Sequence, residues 1–122
     1  MINLKNSDFY IHNGKIHIKR IHGPGILLIW SNSCPHCHTF IKNVYTDLAK
    51  QLGQDFKCTA IENSELQNTN LSYALDFEYF PTLKFFDQNG QIVSTYPKNK
   101  SRSKSDILTY ICNVYDHCMA YH

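Results

Sequence analysis

Five consecutive apolar residues, Ile26-Leu27-Leu28-Ile29-Trp30, constrain this chain more than any other feature. The run has strand length and no polar face to turn to water, so it predicts a strand covered on both sides. Behind it Phe40, Ile41, Val44, Tyr45, Leu48, Ala49 and Leu52 recur at spacings of three and four. That stripe predicts an amphipathic helix facing a core, with Gly53 placed to close it. A second buried strand is expected over residues 56–61, then a helical turn over 71–75. Thr82-Leu83-Lys84-Phe85-Phe86 follows Pro81 as a strand, and Asp87-Gln88-Asn89-Gly90 turns it back into residues 92–96 as a hairpin. Ile107, Leu108, Ile111, Cys112 and Tyr115 mark a last helix started by Ser103 or Ser105. Ahead of all this, Asn13-Gly14 sits between extended runs in residues 9–18 and predicts an N-terminal β-hairpin. The order of elements predicts an α/β fold, a central mixed sheet with helices on both faces. The 122 residues suit one domain, 1–122, with residues 1–25 as a variant hairpin segment.

The chemistry lies in Ser33-Cys34-Pro35-His36-Cys37, where the central strand gives way to the helix. A thiolate is the attacking species in disulfide exchange. The free N–H groups and dipole of a helix start stabilise negative sulfur there. Asn32 or Ser33 could cap that helix, and Pro35 is tolerated in its first turn because its missing N–H has no helical partner. Two intervening residues put the thiols one helical turn apart, within bonding reach. Cys34 is the expected nucleophile and Cys37 the resolving thiol. His36, when protonated, should favour the Cys34 thiolate.

Composition excludes several classes. With 43% hydrophobic and 18% charged residues the chain is expected to fold, and a net charge of +2 gives no footing for nucleic acid or a membrane surface. No run is long enough to span a bilayer. The lysines of residues 98–104 read as a solvated loop, with an acidic partner as the other reading. Residues 1–10 lack a cationic start and apolar core, so no secretory signal, a cytoplasmic location and no permanent disulfides are expected. Cys58 and Cys112 fall on apolar faces and read as inert core thiols. Cys118, beside His117, reads as a solvent-touched thiol.

Residues 26–40 together with Tyr79-Phe80-Pro81-Thr82-Leu83-Lys84-Phe85-Phe86 resemble the thioredoxin superfamily. The second segment is similar to catalytic domains of protein disulfide isomerases, and Cys-Pro-His-Cys to DsbA-type oxidants. The resemblance implies a thioredoxin fold and a thiol–disulfide oxidoreductase acting on protein cysteines without metal or organic cofactor. It implies that Pro81 is a cis-proline facing the dithiol and that Phe80 pairs with substrate backbone. Trp30 matches the family's tryptophan before the active site. Arg102 stands where isomerase-type domains carry an arginine that tunes the second cysteine. Two departures stand out: Leu28 occupies the position of a buried acid, and Ala60 that of its lysine. The proton acceptor for Cys37 is then open between water and Glu62. The family's leading strand and helix are expected to be replaced or displaced by the hairpin. The Asn-, Lys-, Ile- and Tyr-rich style resembles thioredoxin-like proteins of large DNA viruses such as iridoviruses, which would place the protein in host cytoplasm or virion.

Other readings stand beside this one. Cys34-Pro35-His36-Cys37-His38 also fits c-type haem attachment, but leaves the Pro81 segment unexplained. Zinc would need a second ligand pair, which Cys112 and Cys118 supply poorly. A non-catalytic binding module is the main alternative. Expected partners are a flavin-linked sulfhydryl oxidase for an oxidant, or glutathione or a reductase for a reductant. A monomer is expected.

Overall fold

The apolar run becomes the middle of the sheet. In the computed structural model, which describes residues 1–118, it lies in strand Gly25–Trp30, where Ile26, Leu27, Leu28 and Ile29 are all 0% exposed. Among the described residues the strands are β1 (Ile2–Leu4), β2 (Phe9–His12), β3 (Lys15–Ile18), β4 (Gly25–Trp30), β5 (Lys57–Glu62), β6 (Thr82–Phe86) and β7 (Ile92–Thr95). The helices are α1 (Pro35–Phe40), α2 (Thr46–Leu52), α3 (Asn70–Leu75) and α4 (Lys104–Tyr115). The main sheet runs β1-β5-β4-β6-β7. Strands β1, β5 and β4 are parallel; β6 is antiparallel to β4 and β7 to β6. This is the expected mixed α/β sheet.

Alternation along β4 divides the core. Ile26 and Leu28 join Phe40, Tyr45, Leu48, Phe85, Ile107 and Ile111 on the face covered by α1, α2 and α4. Leu27 and Ile29 join Leu4, Phe9, Ile16, Ile18, Leu71 and Leu75 on the other. Gly25 is required where β4 begins, because a Cβ there would collide with the Lys57 carbonyl and the Phe86 ring.

The N-terminal hairpin forms as expected, β2 against β3, with Asn13 and Gly14 at φ 52° and 74°. It lies on a face of the sheet, where Ile18 N–H donates to the Gly90 carbonyl at 2.9 Å. The leading strand is nevertheless present: β1 pairs with β5, Ile2 opposite Thr59. The hairpin therefore occupies the interval between β1 and β4, and only the leading helix is missing. The second face is thus covered by a hairpin and α3, not by helices alone.

The first helix also differs from a plain amphipathic rod. Residues Ile41–Tyr45 form a π-helical stretch between α1 and α2, and Thr46 N–H reaches the Ile41 carbonyl. Spacings of three and four cannot reveal this extra residue. Tyr45 is fully buried, and its hydroxyl donates to the Thr59 carbonyl at 2.7 Å. Gly53 closes α2 at φ 63°, and Ser103 caps α4 by accepting from Asp106 N–H at 3.2 Å.

The expectation of no disulfide is overturned at the end of α4. Cys112 is half-exposed, not a core thiol, and is bonded to Cys118. Asp116, in the left-handed region at φ 55°, ends the helix in a turn that lets Cys118 meet it. Cys58 is buried and free as expected. Residues 119–122 of the expected domain lie outside the described residues. No helix among the described residues is long and apolar enough to cross a membrane.

If the hairpin is a true core layer, Ile18→Ala (3% exposed) should cost about 2–5 kcal/mol. Ile11→Ala, on the solvent side of the same hairpin, should cost less than about 0.5 kcal/mol. Urea unfolding of both variants checks this; equal small losses would show that the hairpin is not part of the cooperative core.

Candidate active site

The strand β4 ends at Trp30, and a four-residue loop delivers Cys34 to the start of α1. Two side chains fasten that loop. Glu62, at the end of the neighbouring strand, accepts from Asn32 N–H at 2.9 Å and from Ser64 N–H at 3.0 Å. Partial burial opposes ionisation of Glu62, yet these N–H bonds hold its carboxyl below the usual range. His38 Nε2 bonds the Asn32 carbonyl at 2.7 Å, and its ring meets Trp30 edge-on at 5.8 Å. His38 is exposed, but its position one turn into the helix lets it reach back over the loop.

The N-cap is Cys34 itself, not Asn32 or Ser33. Its extended backbone (φ −100°, ψ 107°) turns Sγ toward the helix start, where Cys37 N–H donates to it at 3.2 Å. A sulfur in the capping position receives the donor that a serine or aspartate oxygen would otherwise take. Pro35 follows at the first helical position. Cys34 is half-buried and Cys37 fully buried, and both are free thiols. Burial, then the hydrogen bond and charge of Cys34, push the Cys37 thiol up to about 12; a Ser31 backbone bond and the Arg102 charge pull weakly the other way. Cys58 is likewise pushed up to about 12 by burial.

The Phe80-Pro81 bond is cis, as the resemblance implied. Phe80 presents its carbonyl to Cys34 Sγ at 3.9 Å, within reach of the thiol as donor. Its ring packs on Phe77. Arg102 is half-buried ahead of α4, donating from Nη1 to the Pro81 carbonyl at 2.8 Å and lying over the Tyr79 ring at 5.6 Å. The structure therefore brings Cys34, Cys37, Phe80, Pro81 and Arg102 together. Trp30 is half-buried, packed on the core behind the loop. His36 is exposed, and with Asn43, Val44, Phe80, Pro81 and Arg102 it lines an open groove of about 510 Å³. Glu62, one candidate proton acceptor for Cys37, has its carboxylate turned to the Asn32 and Ser64 backbone instead. Leu28 and Ala60 are opposite one another in register and buried, so an apolar contact stands where the family's charges would lie. Among the described residues no cluster of three His, Cys, Asp or Glu side chains could hold a metal.

The fold and this dithiol define a class, and comparison with known proteins agrees. The thioredoxin family model matches residues 11–113. The chain belongs to the thioredoxin family and has the thioredoxin fold. No curated protein matches it by sequence. Among solved structures it is similar to the J-Trx1 fragment of ERdj5, at TM-score 0.62 and 17% identity, covering 79% of this chain and 45% of that one. It is similar to the germline-specific thioredoxin Deadhead of Drosophila melanogaster, at TM-score 0.60 and 13% identity, covering 76% and 82%. The first two thioredoxin domains of Saccharomyces cerevisiae Eps1p give TM-score 0.58 and 18% identity, covering 73% and 34%. The chain thus spans less than half of the ERdj5 and Eps1p fragments.

The burial difference sets a reactivity order. Near about pH 8 iodoacetamide should modify Cys34 first and leave Cys37 and Cys58 unmodified in the folded protein. Both raised thiols favour the protonated native state. Their contribution to stability is present below the ordinary thiol range and is lost as pH climbs toward 12. Peptide mass mapping after alkylation checks the order; Cys37 labelling as fast as Cys34 contradicts it.

Proposed function

We propose that the protein is a thiol–disulfide oxidoreductase that exchanges disulfides with protein cysteines through Cys34 and Cys37. The observation that carries this reading is the placement of Cys34 Sγ, which receives Cys37 N–H and faces the carbonyl of Phe80 beside the cis Pro81. As its thiolate, Cys34 attacks one sulfur of a substrate disulfide. The substrate S–S bond breaks, the other substrate sulfur leaves as a thiolate and takes a proton, and a mixed disulfide joins enzyme and substrate. The substrate chain lies against Phe80 and Pro81, with the groove beside His36 receiving its flank.

Cys37 then gives up its proton and attacks Cys34 Sγ, releasing the second substrate thiolate. The product is a Cys34–Cys37 disulfide and a dithiol substrate, two electrons having passed to the substrate. Run backward, the same steps oxidise a dithiol. The raised Cys37 thiol makes resolution the step that needs help, and Arg102 is the nearby charge that favours its thiolate. Pro35 stiffens the turn between the sulfurs, and His36 stands on the rim where it can meet the incoming chain. Trp30 supports the loop from behind and reports on its redox state. A sulfhydryl oxidase would recharge the pair for oxidation; glutathione or a reductase would do so for reduction.

Cys34→Ser should lower dithiothreitol-driven reduction of insulin to background. Cys37→Ser should accumulate enzyme–substrate adducts that dithiothreitol releases, visible on non-reducing gels. Wild-type turnover by Cys37→Ser would rule out the two-thiol mechanism.

A further inference from the structure

The loop of residues 97–103, continued by the first residue of α4, has a feature that dithiol chemistry does not require. From Gln88 to Ser105 the chain has no acidic residue, while Lys98, Lys100, Arg102 and Lys104 follow at every second position. The three lysines are exposed. Charge runs of this kind ordinarily wave in solvent, but here two lysines are seated on rings. Lys98 Nζ lies 5.7 Å from the centre of Tyr79, and Lys100 Nζ 5.7 Å from that of Tyr110. Contacts of this length are weakly attractive and bias each ammonium toward its ring. Lys98 and Arg102 use the same ring, and Tyr79 immediately precedes Phe80, whose carbonyl faces Cys34. The bond from Arg102 to the Pro81 carbonyl ties the cationic loop to the cis-proline loop. The surrounding acids are few. Asp76 and Glu78 border the small pocket beside Tyr79 and Lys98, and Asp106 lies in the first turn of α4.

We propose that this cationic, tyrosine-backed loop is a docking surface for acidic segments flanking the cysteine of the polypeptide being exchanged. The proposal rests on the oxidoreductase reading and names its substrate class. An extended chain crossing Phe80 covers about 10–14 Å in three or four residues, and the neighbouring Tyr79 carries Lys98 over its ring. Charge of one sign beside the exchanging sulfur speeds encounter with the opposite sign. The partner is a polypeptide, because the surface adjoins a site that acts on cysteine.

The test uses three peptides with one internal disulfide, alike except for four flanking residues that are Glu, Ser or Lys. At about 20 mM salt, kcat/KM for the Glu peptide should exceed that for the Lys peptide by at least about tenfold, and the ratio should shrink toward one by about 300 mM. Lys98→Gln/Lys100→Gln/Lys104→Gln should abolish the preference while leaving the Ser peptide unchanged. Equal rates with all three peptides, or a preference that survives in the triple variant, would overturn the docking surface and leave the oxidoreductase reading intact. If no peptide is exchanged, that reading fails instead. The surface is then judged by fluorescence anisotropy of labelled Glu and Lys peptides on Cys34→Ser/Cys37→Ser protein, where equal binding overturns it and Glu-selective binding supports it.

Discussion

Everything in this molecule is arranged around a strand that cannot touch water. Four residues of β4 are completely buried, and each side chain of this kind contributes about 1.5–3 kcal/mol when removed from solvent. Burying both faces at once demands two layers. The helical segment carrying Cys37 supplies one, with α4; the hairpin and α3 supply the other. Strand β5 on one side and β6 on the other then fix where β4 ends, and with it the point at which the chain leaves the sheet for Cys34. Reactive geometry is therefore a by-product of core burial: the strand ends, the loop is pinned by Glu62 and His38, and the helix begins under a sulfur.

The same burial explains the departures from the family's pattern. Leu28 and Ala60 face each other across β4 and β5, and a charged pair there would have to be desolvated at a cost of several kcal/mol per ion. The apolar contact removes that cost and leaves Cys37 without a buried carboxylate as proton acceptor. Burial then dominates its protonation, opposed by the Ser31 backbone bond and, last, by the Arg102 charge.

Much of this was readable in the residues because it is governed locally. An unbroken apolar run, an Asn-Gly turn needing two positive φ angles and a serine ahead of an apolar periodicity each specify their structure within a few positions. What escaped reading depends on distant partners. Strand β1 is three residues long with two of them exposed, and it is a strand only because β5 lies beside it. The π-helical stretch is invisible to a period of three and four. The Cys112–Cys118 bond depends on the left-handed turn at Asp116, a position at which aspartate carries no strong signal. His38 acts through Asn32, six positions away, and nothing local marks it; Tyr79 lies in the segment that carries the resemblance, but its contact with Arg102, twenty-three positions on, is not written there.

The central claim is that Cys34 and Cys37 form a reversible redox pair. Its most direct measurement is their equilibrium in glutathione buffers, read by Trp30 fluorescence and by the mass of the alkylated peptide containing both cysteines. The account predicts one two-electron transition confined to that peptide, with a potential between about −270 and −120 mV. A peptide that stays reduced across that range, or a disulfide that joins either cysteine to another partner instead, would contradict it.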